Sequence, residues 1–302
     1  MTDYAEELLR VPELLQMDRL LEGQTAVVTA GGGGIGRAIA LLFAKAGANI
    51  VVADILPDRC EEVAEKVRQI GRKALAVPTD VMDTDQVRAM IAAADAEFGR
   101  IDVLVNNAGG GSKRLFVDQS ERSWQWHVNL NLFSMFAATH ATLPIMIREG
   151  RGGAIVNVSS IEGSRACPNF AVATSLKAAM NGFTRTLSLE VADHGIRVNA
   201  IAPDEAITPG IFAAAIAPAG EQKVDVGPSK AVEAAAKRRI PLGRYAGADE
   251  CAQTALFLAS KMSSYITGTI VAVDGGTWAS SGWIRNRKGE WVLAEVYEED
   301  DA

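Results

Sequence analysis

A serine that closes an apolar strand and a lysine on the helix behind it are the first residues here with chemistry to offer. Residues 153–177 read GAIVNVSSIEGSRACPNFAVATSLK, so Ser160 ends a run of Val and Ile while Lys177 falls inside a helical pattern. A hydroxyl and an ammonium at one sheet edge can orient and polarise a substrate oxygen. A second constellation lies near the start, in TAGGGGIGRAIA, where Gly31, Gly33 and Gly36 satisfy GxGxxG between a strand and a helix. Glycine there permits a tight turn and lets the backbone approach a pyrophosphate, which a helix N-terminus attracts. Asp54 ends the next strand at about the spacing expected of an acid that accepts hydrogen bonds from both adenosine ribose hydroxyls. Such a carboxylate repels a 2′-phosphate. No arginine follows at once, and Gly33 stands where a basic residue would favour NADP, so the expected cofactor is NAD, with NADP second. The competing reading of Asp54 is as N-cap of the helix that begins at Pro57.

The elements that must carry these residues alternate. Apolar runs at 24–30, 49–54, 73–79, 102–107, 153–159, 197–202 and 269–274 are spaced by helix-length segments at 34–47, 57–70, 83–98, 120–149, 169–194 and 248–260. The runs are continuous rather than alternating, as a sheet covered on both faces requires. Repeated β-α units predict an α/β fold of one domain, a doubly wound parallel sheet of about seven strands. Asp80 with Val81, and Asn106-Asn107-Ala108-Gly109, then fall at strand C-terminal ends, the edge where open α/β sheets bind ligands. Residues 1–16 are expected to form an N-terminal amphipathic extension, 17–276 the main domain, and 277–302 a C-terminal extension with an acidic tail.

Composition removes several alternatives. A net charge of −7 argues against nucleic acid or an anionic membrane as the main partner. Cys60, Cys167 and Cys251 are far apart with no CxxC or Cys/His cluster, so free thiols are expected and no metal site. No uninterrupted apolar run reaches membrane-spanning length, and the acidic N-terminus lacks the basic region of a signal peptide. The expected location is the cytoplasm. The glycosylation triplet at Asn157 lies within a predicted strand and is a match of pattern only.

In order along the chain, TAGGGGIG, NNAG, VNVSS, the helix carrying Lys177, and IAP at 201–203 before Thr208 resemble the short-chain dehydrogenase/reductase family over about residues 17–276. The resemblance implies a Rossmann fold and a tetrad of Asn, Ser, Tyr and Lys. Asn131 matches the asparagine that holds a helix kink and a water linked to the lysine, with Trp124 before it and Leu143-Pro144 after. Ser160 matches the serine that orients the substrate oxygen. Lys177 matches the lysine that binds nicotinamide ribose and lowers the tyrosine's pKa. The tyrosine belongs four residues before Lys177 and thirteen after Ser160, and both counts land on Ala173. The resemblance also assigns cofactor contacts to Ala30, Gly33, Gly34, Ile35, Asp54, Ile55, Asp80, Val81, Asn107, Ala108, Gly109, Lys177, Pro203, Ala206 and Thr208. It implies a homotetramer.

Two further departures are Ala30, where the family has glycine, and Asp204 beside Glu205, where glycine often follows the proline. Alanine can replace glycine at 30 if φ is negative there, and is expected to cost cofactor affinity at most. Of the residues that could substitute for the phenol, Glu162, two residues past Ser160, is expected at the cleft rim. His127 and His140 are expected to be buried or at an interface, His194 to end a helix, and the Trp124/Trp126 pair to pack the core. Slow turnover is expected to survive, with Ser160 donating one hydrogen bond. Residues 209–239 sit where the family places a substrate lid. Their small apolar half suits a hydrophobic alcohol or ketone. Residues 283–296 read as two short strands about a Lys288-Gly289 turn, an oligomer contact or, second, part of a neighbour's pocket. The sequence thus points to an NAD-dependent interconversion of secondary alcohol and ketone by a chain lacking its acid–base tyrosine. The alternatives are a natural non-catalytic NAD-binding homologue, or an enzyme using a different acid such as Glu162.

Overall fold

Seven of the apolar runs become strands of a single parallel sheet in the computed structural model, which describes residues 16–208 and 229–293. They are β1 Thr25–Thr29, β2 Asn49–Asp54, β3 Ala74–Pro78, β4 Val103–Asn106, β5 Gly153–Val158, β6 Ile196–Pro203 and, after two short strands, β9 Ile270–Val273. The spatial order is β3-β2-β1-β4-β5-β6-β9. Strand order reverses between β1 and β4, and the crevice at their C-terminal ends is where such sheets take ligands. Helices α1 Gly34–Lys45, α2 Pro57–Gln69 and α8 Ala248–Ala259 supply or join the cluster around Phe43, Ile39 and Val28 on one face. On the other face α3 Thr84–Phe98, α5 Ser134–Glu149 and α6 Ala171–Glu190 pack around Met90, Leu104, Met146 and Ile155. Burial on both faces explains why the strands read as unbroken apolar runs.

Helix α4, Glu121–Val128, runs through a five-residue π-helical turn, Asn129–Phe133, into α5. The whole segment Glu121–Glu149 is long and apolar enough to cross a membrane by length and composition. Its buried residues, Met135, Ala138, Thr139, Thr142, Ile145 and Met146, face the sheet instead. Asn106 and Asn157 stand in register on β4 and β5, and their side chains bond to each other at 2.9 Å. Asn106 also donates to Thr139 and Asn157 to Thr184, tying α5 and α6 to the sheet through a buried polar chain. That buried role explains the triplet at Asn157.

Beyond the main sheet, β7 Ala206–Ile207 pairs with β8 Ala246–Gly247, and α7 covers Lys230–Arg239. The C-terminal hairpin is present as β10 Ile284–Arg285 and β11 Trp291–Val292, with Arg285 stacked 4.4 Å over the Trp291 ring. All three cysteines are free thiols. The expected N-terminal helix except Gln16, the lid at 209–228 and the acidic tail from 294 lie outside the described residues.

Candidate active site

The glycine turn after β1 is shaped by what a side chain would strike. A Cβ at Gly36 would lie 2.2 Å from the Ala30 carbonyl oxygen and 2.5 Å from Asn107 Nδ2, and one at Gly31 2.9 Å from the Val28 carbonyl. Gly34 opens α1 with φ +51°, against Thr208. The bare backbone and the helix N-terminus leave a cradle of the kind a pyrophosphate fills. Asn107 Nδ2 bonds the Thr29 and Ala30 carbonyls, fixing the loop after β4 to the turn after β1. Asp80, after β3, accepts from the Met82 amide, and Val81 is buried beside it.

Ala30 departs from expectation: its φ is +49°, in the left-handed region. An alanine there costs roughly 1–2 kcal/mol, because Cβ crowds the following carbonyl. Ala30→Gly is therefore expected to raise unfolding free energy by about 1 kcal/mol, part of the relief being lost to the freer unfolded chain. Chemical denaturation of both proteins checks it, and an unchanged or lower midpoint counts against the strain.

Asp54 is buried and both carboxylate oxygens are engaged, Oδ2 by the Gly32 amide at 3.1 Å and Oδ1 by the Leu56 amide at 3.1 Å. The N-cap of α2 is Leu56, so Asp54 braces the turn instead of capping the helix. Arg59, on the first turn of α2, lays its stem beside Gly32 and its Nη1 near Gly33, 3.4 Å from where a Cβ there would be. Sequence reasoning looked for a basic residue immediately after Asp54 and missed one that the helix returns to the same turn.

At the other end of the crevice, three elements meet around Gly109. A Cβ on it would lie 2.9 Å from Asn131 Oδ1 and 3.3 Å from Lys177 Nζ. Asn131, at the centre of the π-turn, accepts from the Gly110 amide at 3.1 Å and donates to the Gly110 and His127 carbonyls at 2.9 Å. The expected helix kink is thus a π-turn, a feature that recurs at functional sites. Lys177 Nζ donates to the Val158 carbonyl at 2.8 Å, and burial pulls its pKa down to about 8. Ala173 lies one turn earlier on α6, its methyl facing Gly111, where an added Cβ would approach to 2.8 Å.

The histidines are not rivals for the phenol. His127 is buried, with Nε2 accepting from the Ser112 amide at 3.2 Å and Nδ1 donating to the Ser123 carbonyl at 2.7 Å. Those partners fix the tautomer and make it a strut for the loop after β4. His140 is exposed, which leaves the interface half of its expectation, and His194 ends a short 3-10 turn after α6. Trp124 stacks on Phe116 at 5.3 Å, whereas Trp126 is largely exposed.

Glu162 is partly buried. Its Oε2 accepts a short hydrogen bond from Ser160 Oγ, and its Oε1 bonds Arg165 at 2.9 Å. Burial pushes this carboxyl up, but the bonds from Ser160 and Arg165 outweigh it and hold the pKa below the ordinary value. Ser160 is therefore committed as a donor, to Glu162 or to the Pro203 carbonyl at 3.2 Å, and does not offer its proton to the crevice. Asp204 is nearly enclosed, 3.7 Å from Arg165 and 3.4 Å from Arg239, which also reaches Glu205 at 3.2 Å. Sequence reasoning missed both arginines; the three-residue interval from Glu162 to Arg165 was the available signal.

The enoyl-(acyl carrier protein) reductase family matches residues 29–277. The chain is 38% identical over 256 residues to a 3-oxoacyl-[acyl-carrier-protein] reductase of Thermotoga maritima, covering 85% of this chain and 98% of the relative. It is 40% identical over 258 residues to the oxidoreductase UcpA of Escherichia coli K12, covering 85% and 95%. Among solved structures, a 7α-hydroxysteroid dehydrogenase in complex with NADH and 7-oxo glycochenodeoxycholic acid superposes with TM-score 0.78 at 31% identity, over 87% of this chain and 98% of that one. A short-chain dehydrogenase/reductase from Mycobacterium marinum gives TM-score 0.77 at 32% identity, over 86% and 98%.

Proposed function

The chain belongs to the short-chain dehydrogenase/reductase family, and on that premise we propose that it interconverts a secondary alcohol and a ketone with NAD, slowly for want of a phenol at position 173. The observation that carries this reading is the convergence of Asn131, Lys177 and Gly109 beside a glycine cradle that fits a dinucleotide. The nicotinamide cofactor, when bound, supplies or accepts the hydride. The cradle from Ala30 to Ile35, with Thr208 against it, receives the pyrophosphate. Asp54 and Ile55 face the adenosine end, Asp80 and Val81 the adenine, and Asn107, Ala108 and Gly109 the floor. Lys177 holds the nicotinamide ribose, and Pro203 and Ala206 flank it. Over Lys177 the family places a tyrosine; Ala173 has no proton to give. An acid or base so placed contributes about 10²–10⁴ in rate, which sets the scale of the impairment.

The relatives' names support a ketone next to a bulky acyl or ring system, in keeping with the small apolar first half of the lid expected at 209–239. A homotetramer, in which the hairpin over 284–292 touches a neighbour, and a cytoplasmic location complete the reading. The preference for NAD rests on the Asp54 charge, which opposes a 2′-phosphate more directly than Arg59 attracts it, because Asp54 is bonded into the turn itself. Titration of nicotinamide fluorescence is expected to give NADH at least about tenfold tighter binding than NADPH, roughly 1.4 kcal/mol. Asp54→Asn, which keeps an acceptor and removes the charge, is expected to narrow that ratio. Equal affinities in the unaltered protein would defeat the assignment.

A further inference from the structure

We propose that Glu162 takes up the hydroxyl proton of an alcohol substrate through Ser160, a relay that does the phenol's work in the oxidative direction. The inference rests on the alcohol–ketone reading above and adds to it a proton path and a direction. Three observations carry it. Ser160 Oγ donates to Glu162 Oε2 and accepts the Glu162 amide at 3.2 Å, which leaves one lone pair for a substrate O–H. Arg165 bonds the other carboxylate oxygen at 2.9 Å and holds Glu162 in its ionised form. Position 173, one turn before Lys177, offers no competing group.

In the step, the carbinol C–H leaves as hydride to the oxidised nicotinamide. The substrate O–H proton passes to Ser160 Oγ as the Ser160 proton passes to Glu162 Oε2, and the C–O bond becomes the carbonyl. Glu162 then releases the proton to water, to which its side chain is 20% exposed. The reverse flow needs Glu162 protonated, and its carboxyl is held below the ordinary carboxylate range. With Arg165 bonded to it, Glu162 rests as the base that the oxidative step needs. The charged and titratable groups around the relay are Arg165 and the neutral Cys167 thiol on its own loop, Asp204 and Glu205 after β6, Arg239 on α7 and Lys177 on α6. Among the described residues, Glu162 is the carboxylate of this group that bonds Ser160.

The test is alcohol oxidation by the unaltered chain, Glu162→Gln, Glu162→Asp and Ala173→Tyr, and by Ala173→Tyr combined with Glu162→Gln, with thermal melts confirming folding. The relay predicts that Glu162→Gln lowers kcat about 100-fold with KM little changed, the scale of a lost general base. It predicts that Glu162→Asp restores part of the loss. The unaltered chain should lose rate only on the acid side, as Glu162 takes a proton, and Glu162→Gln should abolish that limb. With a tyrosine at 173, the same Gln substitution should cost less than about fivefold, because the phenol then takes the proton. A protonated-carboxyl infrared band should rise during a single turnover and be missing from Glu162→Gln. Equal fractional losses in both backgrounds, or a pH profile that Glu162→Gln leaves unchanged, would mean Glu162 merely holds the loop and would overturn the relay. If the Ala173→Tyr protein oxidises alcohols and the unaltered chain shows no Glu162-dependent rate, the relay fails and the parent reading stands. If neither turns over any alcohol or ketone, the parent reading fails and takes the relay with it.

Discussion

Ala173→Tyr is expected to raise kcat/KM for a secondary alcohol or ketone by at least about 100-fold, the lower end of what a positioned acid contributes. The replacement lands one turn before Lys177, and residues four apart share a helix face. The ring would meet the loop after β4, where Gly109, Gly110 and Gly111 present no side chains and Gly111 lies against the Ala173 methyl. Lys177 is already drawn down to about 8 by burial, which marks its ammonium as poorly solvated. A neighbouring phenol gains from that cation when it ionises, so its pKa should fall below the usual value of about 10. Oxidation by the variant should then rise toward alkaline pH through that lowered pKa, unlike the acid-side limb of the unaltered chain. Ala173→Phe, which fills the space without the hydroxyl, should give no gain. Dinucleotide binding measured alongside separates the outcomes: retained binding with no gain on any substrate would leave a dinucleotide-binding protein without this chemistry.

How far the sequence carried this picture depends on distance along the chain. Strands, and helices other than α6, were readable within a residue or two because continuous Val/Ile/Ala runs have one use in an α/β protein, the interior of a covered sheet; α6 ends at Glu190, four residues before its expected end. That Asn131 and Lys177 both come close to Gly109 was readable because motif order follows the βα repeat. What escaped was everything decided by the return of a side chain across space. Arg59 comes back to the glycine turn because α2 begins right after Asp54. Arg165 and Arg239 converge on Asp204 from a loop and a helix more than seventy residues apart in sequence. The φ at Ala30 was undecidable from composition, since alanine is ordinary in either a turn or a helix start, and only the backbone path fixed it at +49°. The partners of Glu162 escaped for the same reason: its spacing from Ser160 does not say that it bonds both Ser160 and Arg165.

The severest single change expected is Gly36→Ala, one methyl group that should abolish dinucleotide binding and weaken the fold together. Its Cβ would lie 2.2 Å from the Ala30 carbonyl oxygen and 2.5 Å from Asn107 Nδ2, both well inside van der Waals contact. Neither neighbour can withdraw cheaply. The Ala30 carbonyl belongs to a residue already in the left-handed region, and Asn107 is bonded to that carbonyl and to Thr29. Relief must come from moving α1 away from β1, which opens the cradle and uncouples the loops after β1 and β4. Overpacking of this kind costs about 1–3 kcal/mol, and for a chain of this size each kcal/mol lowers Tm by roughly 2–4 °C. The expected result is a Tm lower by roughly 2–12 °C and a dinucleotide affinity weaker by at least about 100-fold, near 2.7 kcal/mol. Gly33→Ala is the contrasting control, since the contact within reach of a Cβ there is Arg59 Nη1 at 3.4 Å, the far end of a flexible side chain. It should keep its Tm. If Gly36→Ala binds NADH as tightly as the parent and melts at the same temperature, the close approach of α1 to the turn is not what builds the site.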